Sequence, residues 1–197
     1  TVSTLSPVED TVTEGDNVEL AWTLSLNNAS ASPTTLQLDL NNLGNKGSFT
    51  DDTNGIFILY SADGTRELNR VDISDNTDGI VELVIPPEHH TVQIKTQVNN
   101  DVALEGTETL ALKVKVKDTG NWTTADSITL EDDEGALSIA STSVYQHGQE
   151  DADGYTDGPA WEIRVSHPAD KATTFNINFN DQDYNSSFGK FEAFIYV

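Results

Sequence analysis

Carboxylates dominate the chemistry open to this sequence. Residues 99–108 carry Asp101, Glu105 and Glu108, and further on Glu131-Asp132-Asp133-Glu134 form an unbroken acidic tetrad. A hard cation such as calcium takes roughly six to eight oxygen ligands, several of them carboxylates, gathered by a turn or a boundary. Without a counter-ion, four adjacent acids repel one another. If the strand before the tetrad runs back towards the loop holding Asp101, the two clusters meet at one end of the fold. The alternative for a bare tetrad is a solvated acidic linker.

A third cluster spans residues 149–158, where Asp151, Asp153 and Asp157 accompany Gly154. The spacing resembles part of an EF-hand loop, although Gln149 fills the first ligand position and Ala160 stands where a bidentate Glu belongs. This segment is either a calcium loop at the tip of a domain or an Asp/Gly-rich turn between strands. Tyr155 and Trp122 fall in loop-like surroundings and, with Asp157, are the candidate ligand-contacting residues. His89 and His90 are adjacent on a loop and lack a third ligand nearby in sequence, which favours exposed loop residues over a metal site. No Ser/His/Asp spacing, phosphate loop or paired carboxylates in a cleft points to catalysis, so the chain reads as a non-enzyme.

The charge balance narrows the partners. Ten basic residues against 33 acidic ones give a formal charge of -23, which repels nucleic acid and anionic membrane surfaces. No apolar run is long enough to span a bilayer, and the absence of Met and of a signal-like stretch suggests a segment of a longer protein. Cysteine is absent, so stabilisation by metal must come from oxygen ligands. That need suits the calcium-rich extracellular space.

Elements that could position these acids are strands. Residues 18–26, 36–40, 81–85, 92–98 and 110–116 alternate apolar and polar side chains, and the Asn-, Asp-, Gly- and Pro-rich stretches between them supply turns. Such a pattern predicts a sandwich of two sheets, with Trp22 and Leu24 facing away from Ala21 and Thr23. Residues 21–42 also align without a gap on residues 160–181, at an offset of 139 from Ala21 to Ala160, matching Trp22 to Trp161 and Thr34-Thr35 to Thr173-Thr174. The expected organisation is one complete module over residues 1–134 and the first half of a related module, incomplete or split, over residues 135–197.

Glu14-Gly15-Asp16 before an alternating strand, Val98-Asn99-Asn100-Asp101 through Glu105-Gly106-Thr107-Glu108 before another, and Leu130-Glu131-Asp132-Asp133-Glu134-Gly135 together resemble a Calx-β domain. The resemblance covers residues 1–135 and implies an immunoglobulin-like (Calx-β-like) β-sandwich with calcium at its tip and module junction. Carried onto matching positions, the ligands it implies are Asp101, Glu105, Asp132, Asp133 and Glu14, with Glu134 completing the acidic end; Asn99 and Asn100 depart from the acidic residues common there. Long, acidic, Cys-free arrays of such modules are similar to RTX adhesins on bacterial surfaces. The function this implies is calcium-dependent cell adhesion, through an extracellular peptide or glycan ligand, by a protein that is secreted or held at a bacterial cell surface beside neighbouring modules of the same chain. A calcium-stiffened extender without its own ligand, and an accessory domain of a secreted carbohydrate-active enzyme, are the alternatives.

Overall fold

The computed structural model describes residues 1–41, 47–74, 79–134, 138–145, 160–166, 168 and 174, and among these every regular element is a strand. Two sheets face each other. The larger is built from β1 (Val2–Pro7), β3 (Glu19–Leu26), β5 (Thr53–Ser61), β6 (Glu67–Asp72) and β8 (Thr91–Val98), in the order β1-β3-β8-β5-β6. The smaller holds β4 (Thr34–Asp39), β7 (Ile80–Ile85), β10 (Lys113–Val116) and β11 (Thr123–Thr124), in the order β11-β10-β4-β7.

Period-two alternation turns alternate side chains of each strand to one face. In β3 this buries Leu20, Trp22, Leu24 and Leu26, and in β8 Val92, Ile94, Thr96 and Val98. Leu36 and Leu38 of β4, Leu83 and Ile85 of β7 and Val114 of β10 meet them from the opposite sheet in a single apolar core. Trp22 packs edge-on against Phe49 at 5.9 Å between ring centres, and Phe49 likewise against Phe57 at 5.6 Å. Such edge-to-face contacts favour one relative setting of the turn at Phe49 and the two strands. The expected all-β sandwich is the observed fold.

One expected strand divides. Residues 110–116 alternate without interruption, yet they form the end of β9 (Glu108–Leu110) and then β10, with the chain changing partners between them. β9 pairs antiparallel with β12 (Ile128–Glu131), whereas β10 pairs with β4. Leu110, Leu112 and Val114 stay buried across the switch. Alternation records the buried face and is silent about which neighbour supplies the hydrogen bonds, so the crossing left no mark in the pattern.

The third sheet, of β2 (Thr11–Thr13), β12 and β9 in that order, sets up the acidic end. β2 runs parallel to β12, pairing Thr13 with Glu131, and Glu14 N–H extends the ladder to Glu131 O at 2.8 Å. Separately, β13 (Ile139–Tyr145) and β14 (Ala160–Val165) form an antiparallel pair. Ser141 opposite Arg164, with a register shift after Ile139, repeats the relation of Thr4 to Ser25, with a shift after Val2, in the β1–β3 pair.

Candidate metal centre

Four segments bring their acids to one end of the sandwich. Glu14 follows β2, Asp52 precedes β5, the 99–108 loop leaves β8 and enters β9, and Asp132 to Glu134 follow β12. Parallel pairing of β2 with β12 carries Glu14 to the tetrad, and antiparallel pairing of β9 with β12 sets Glu108 opposite Leu130. Asn99 N–H donates to Asp52 O at 3.0 Å, and the Asn99 side-chain amide donates to Asp51 O and Thr53 O at 2.6 and 3.0 Å. The start of β5 is thereby fastened to the end of β8.

The carboxylates fall into two trios. Glu14, Asp133 and Glu134 offer oxygens within 4.8 Å of one another, and so do Asp52, Glu105 and Glu108. Of the acids named from the sequence, Glu14, Glu105, Glu108, Asp133 and Glu134 stand in these trios. Asp132 plays a different part here. Its Oδ2 accepts the N–H groups of Glu105 at 2.7 Å and Gly106 at 2.9 Å, and its Oδ1 accepts that of Glu134 at 2.9 Å. Gly106 supports this arrangement with φ 79°, a left-handed conformation that glycine adopts without a Cβ penalty. Asp101 Oδ1 accepts the Ala103 N–H at 2.7 Å.

Asp52 lies in one of the Asp-rich stretches whose sequence marks only a turn, and Glu108 belongs to the 99–108 acidic run. Asp52 does make the turn bond, accepting the Ser48 N–H at 2.6 Å. Its burial and its place beside Glu105 and Glu108 become visible only once β5, β8 and β9 are assembled. Glu14 and Asp52 are not solvated loop acids: they are 8% and 6% exposed. Glu14 stands at the end of the small third sheet and Asp52 in the turn at residues 48–52.

Electrostatics matches this crowding. Glu14 is pushed up to about 7 by loss of solvent, then by the like charges of Glu105, Asp132, Asp101 and Glu134. Glu134 is also pushed up to about 7, by desolvation and by Asp132 and Asp133. Asp52 is raised by burial, with Asp51 and Asp101 adding to the effect against the Ser48 N–H and a hydrogen bond to Glu108. Asp132 is held below the usual range: burial opposes ionisation, but the N–H groups of Gly106, Glu134 and Glu105 outweigh it. The charges that act most strongly on Glu14 are all negative. Its side chain has no hydrogen-bond partner among the described residues, and Glu134 Oε2 is buried without one. An all-oxygen donor set with unmet negative charge fits a hard divalent cation and suits softer metals poorly.

The other sequence candidates lie elsewhere. Trp122 flanks β11 beside the outer face of the smaller sheet, its ring 4.6 Å from Lys115 Nζ and 5.2 Å from Lys113 Nζ. His89 Nδ1 bonds Pro87 O at 3.0 Å, and its Nε2 lies 2.9 Å from Arg66 Nη2, so this ring is engaged by its own loop and a cation. Asp151, Asp153, Tyr155 and Asp157 lie outside the described residues. No helix among the described residues is long and apolar enough to cross a membrane.

No protein-family model matches the chain, and no curated protein matches it. Solved structures do. CBD12 from CALX1.2 matches at 12% identity and TM-score 0.40, over 70% of this chain and 48% of that one. The calcium binding domain CBD12 of CALX1.1 matches at 11% and 0.41, over 70% and 49%. A C-terminal BspA structure, BspA_C_WT, matches at 14% and 0.32, over 62% and 45%. The chain thus spans about half the length of the solved chains it resembles.

Proposed function

We propose that this chain is a calcium-binding β-sandwich module of an extracellular adhesion protein, secreted or held at a bacterial cell surface, and that the cation locks its acidic end. The observation that carries this reading is Glu14, a carboxylate 8% exposed, without a hydrogen-bond partner among the described residues and facing Asp133 and Glu134 within 4.8 Å. A buried charge of that kind costs several kcal/mol unless it is protonated or paired. Calcium would pair it, drawing oxygens from Glu14, Asp133 and Glu134, with Asp52, Glu105 and Glu108 as a second donor set and Asp101 beside both. Asp132 would hold the loop from behind through three backbone N–H groups.

A junction role has its own support. Leu104, between Asp101 and Glu105, donates its N–H to Pro168 O at 2.9 Å, so the segment after β14 touches the same acidic loop. The shared register of β1 on β3 and β13 on β14 favours a second module beginning near residue 135. Calcium would then stiffen the passage from one module to the next, while adhesion to a peptide or glycan would be the work of the exposed loops. The role is binding and not catalysis.

Calorimetric titration of the chelator-treated chain with calcium tests the reading, with Glu14→Gln as the control. Saturable heat that is reduced in the variant, with the contribution of the Glu14 trio lost, is expected. Absence of heat, and a melting temperature that EGTA leaves unmoved, would overturn it.

A further inference from the structure

We propose that a second site lies beside the acidic end: an amide-lined cleft that takes one ring of a neutral, polyhydroxylated ligand, as in a glycan. It deepens the adhesion reading by naming the ligand's class and its seat, and shares no residue with either carboxylate trio. The cleft has a volume of about 260 Å³ and opens between the β2–β3 turn, the start of β5 and the end of β8. Its polar lining is Asp16, Asn17, Asn54, Gln97, Asn99 and Asn100, five of them carrying side-chain amides.

Part of this lining is fixed and part is free. Asn99 spends its amide nitrogen on Asp51 O and Thr53 O, which leaves its Oδ1 as a held acceptor. Asn100 Nδ2 donates to Asp16 Oδ1 at 3.1 Å, and Asn54 Nδ2 donates to Gln97 Oε1 at 3.4 Å. Gln97 Nε2 and the whole Asn17 amide have no partner among the described residues. The cleft thus presents donors and acceptors side by side, held by neighbours that are themselves bonded. An alcohol group donates and accepts at once, and neighbouring hydroxyls on a ring match such planar groups.

The lining also argues against other ligand classes. Its one aliphatic side chain, Val98, is 3% exposed and offers little surface to an apolar molecule. No Lys, Arg or His lines it, and Asp16 is part of the wall, so a phosphate or a carboxylate would meet repulsion without a cation to bind. An extended peptide would need a row of unpaired backbone groups along a sheet edge, whereas β8 is a central strand paired on both sides by β3 and β5.

Asn17 allows a test that separates shape from contact. Its φ of 65° is one that glycine accepts freely, so Asn17→Gly keeps the turn and removes the amide. Saturation-transfer NMR on the full chain in calcium, with glucose, galactose, mannose and N-acetylglucosamine as probes, should show transfer to at least one sugar. Asn17→Gly and Gln97→Ala should each weaken that binding about five-fold or more, the effect of one lost hydrogen bond. Calcium titration of the same samples should be unchanged. Transfer to none of the four sugars, or variants that bind like the parent, would overturn this site and leave the calcium reading standing. Sugar binding without calcium binding would do the reverse.

Discussion

Asp132 Oδ2 accepts the backbone N–H of Glu105 at 2.7 Å, joining the segment after β12 to a loop that leaves β8. The same oxygen takes the Gly106 N–H at 2.9 Å. Asp132→Ala would leave both donors and the Glu134 N–H without this acceptor, and should destabilise the calcium-free chain by about 1–3 kcal/mol. Calcium affinity should fall as well, because Glu105 and Glu134 lose their common anchor. Urea denaturation and calcium titration of the variant check both effects.

Gly106→Ala probes the backbone alone. A Cβ built there meets nothing within 4 Å, so the left-handed φ of 79° is the only obstacle. The expected cost is about 1 kcal/mol. It should be read from the urea midpoint at constant m, and a larger loss would indicate that the turn carries more than its own strain.

Glu14 and Glu134 make the calcium-free protein sensitive to pH. Their folded-state values of about 7 lie above the ordinary glutamate value of 4.5, so between these limits the folded state binds more protons than the unfolded one. Stability therefore falls as pH rises through this window, and the contribution of the two protons is fully present only below it. In EGTA the melting temperature should drop by several degrees between pH 5 and pH 7.5. Excess calcium should abolish or invert that slope, and binding near pH 6.5 should release protons. A flat profile in EGTA would argue against the burial of Glu14.

Glu14→Gln separates the cost of the buried charge from its use. The amide removes the ionisable group at nearly constant volume, so the variant should be more stable than the parent in EGTA at pH 8 and less responsive to calcium. Thermal melts of both proteins in EGTA and in calcium test this crossing of stabilities.

Thr96 is 2% exposed and its Oγ1 has no partner, in the same core where Trp22 Nε1 is also unpaired. Thr96→Val retains the β-branched shape suited to β8 and removes a buried hydroxyl. Stability should rise by about 1 kcal/mol, seen as a higher urea midpoint. A fall would show that the buried hydroxyl contributes to stability.

Much of the fold was legible because alternation is a direct consequence of strand geometry. Leu20, Trp22 and Leu24 in β3, and Val92 and Ile94 in β8, read from alternation alone as one buried face, and they are that face. β6 was harder to see, since no residue of Glu67–Asp72 is fully buried and its strand character comes from pairing with β5. The short β2 and β11 depend on their neighbours in the same way: three and two residues are too few to carry a period.

What the sequence by itself determined was the chemistry: a chain of charge -23 without cysteine, whose acids gather in loops and whose strands alternate. It also marked the 99–108 loop and the 131–134 tetrad as regions that belong together. The tertiary structure decided which oxygens share space. The parallel pairing of β2 with β12 brings Glu14 to Asp133 and Glu134, and the junction of β5 with β8 brings Asp52 to Glu105 and Glu108. Those meetings depend on pairing between strands distant in the chain, and the local sequence of neither partner records the register of the other. Burial follows from the same assembly, and with it the division of labour by which Asp132 orders the backbone while the Glu14 carboxylate faces its neighbours without a hydrogen bond of its own.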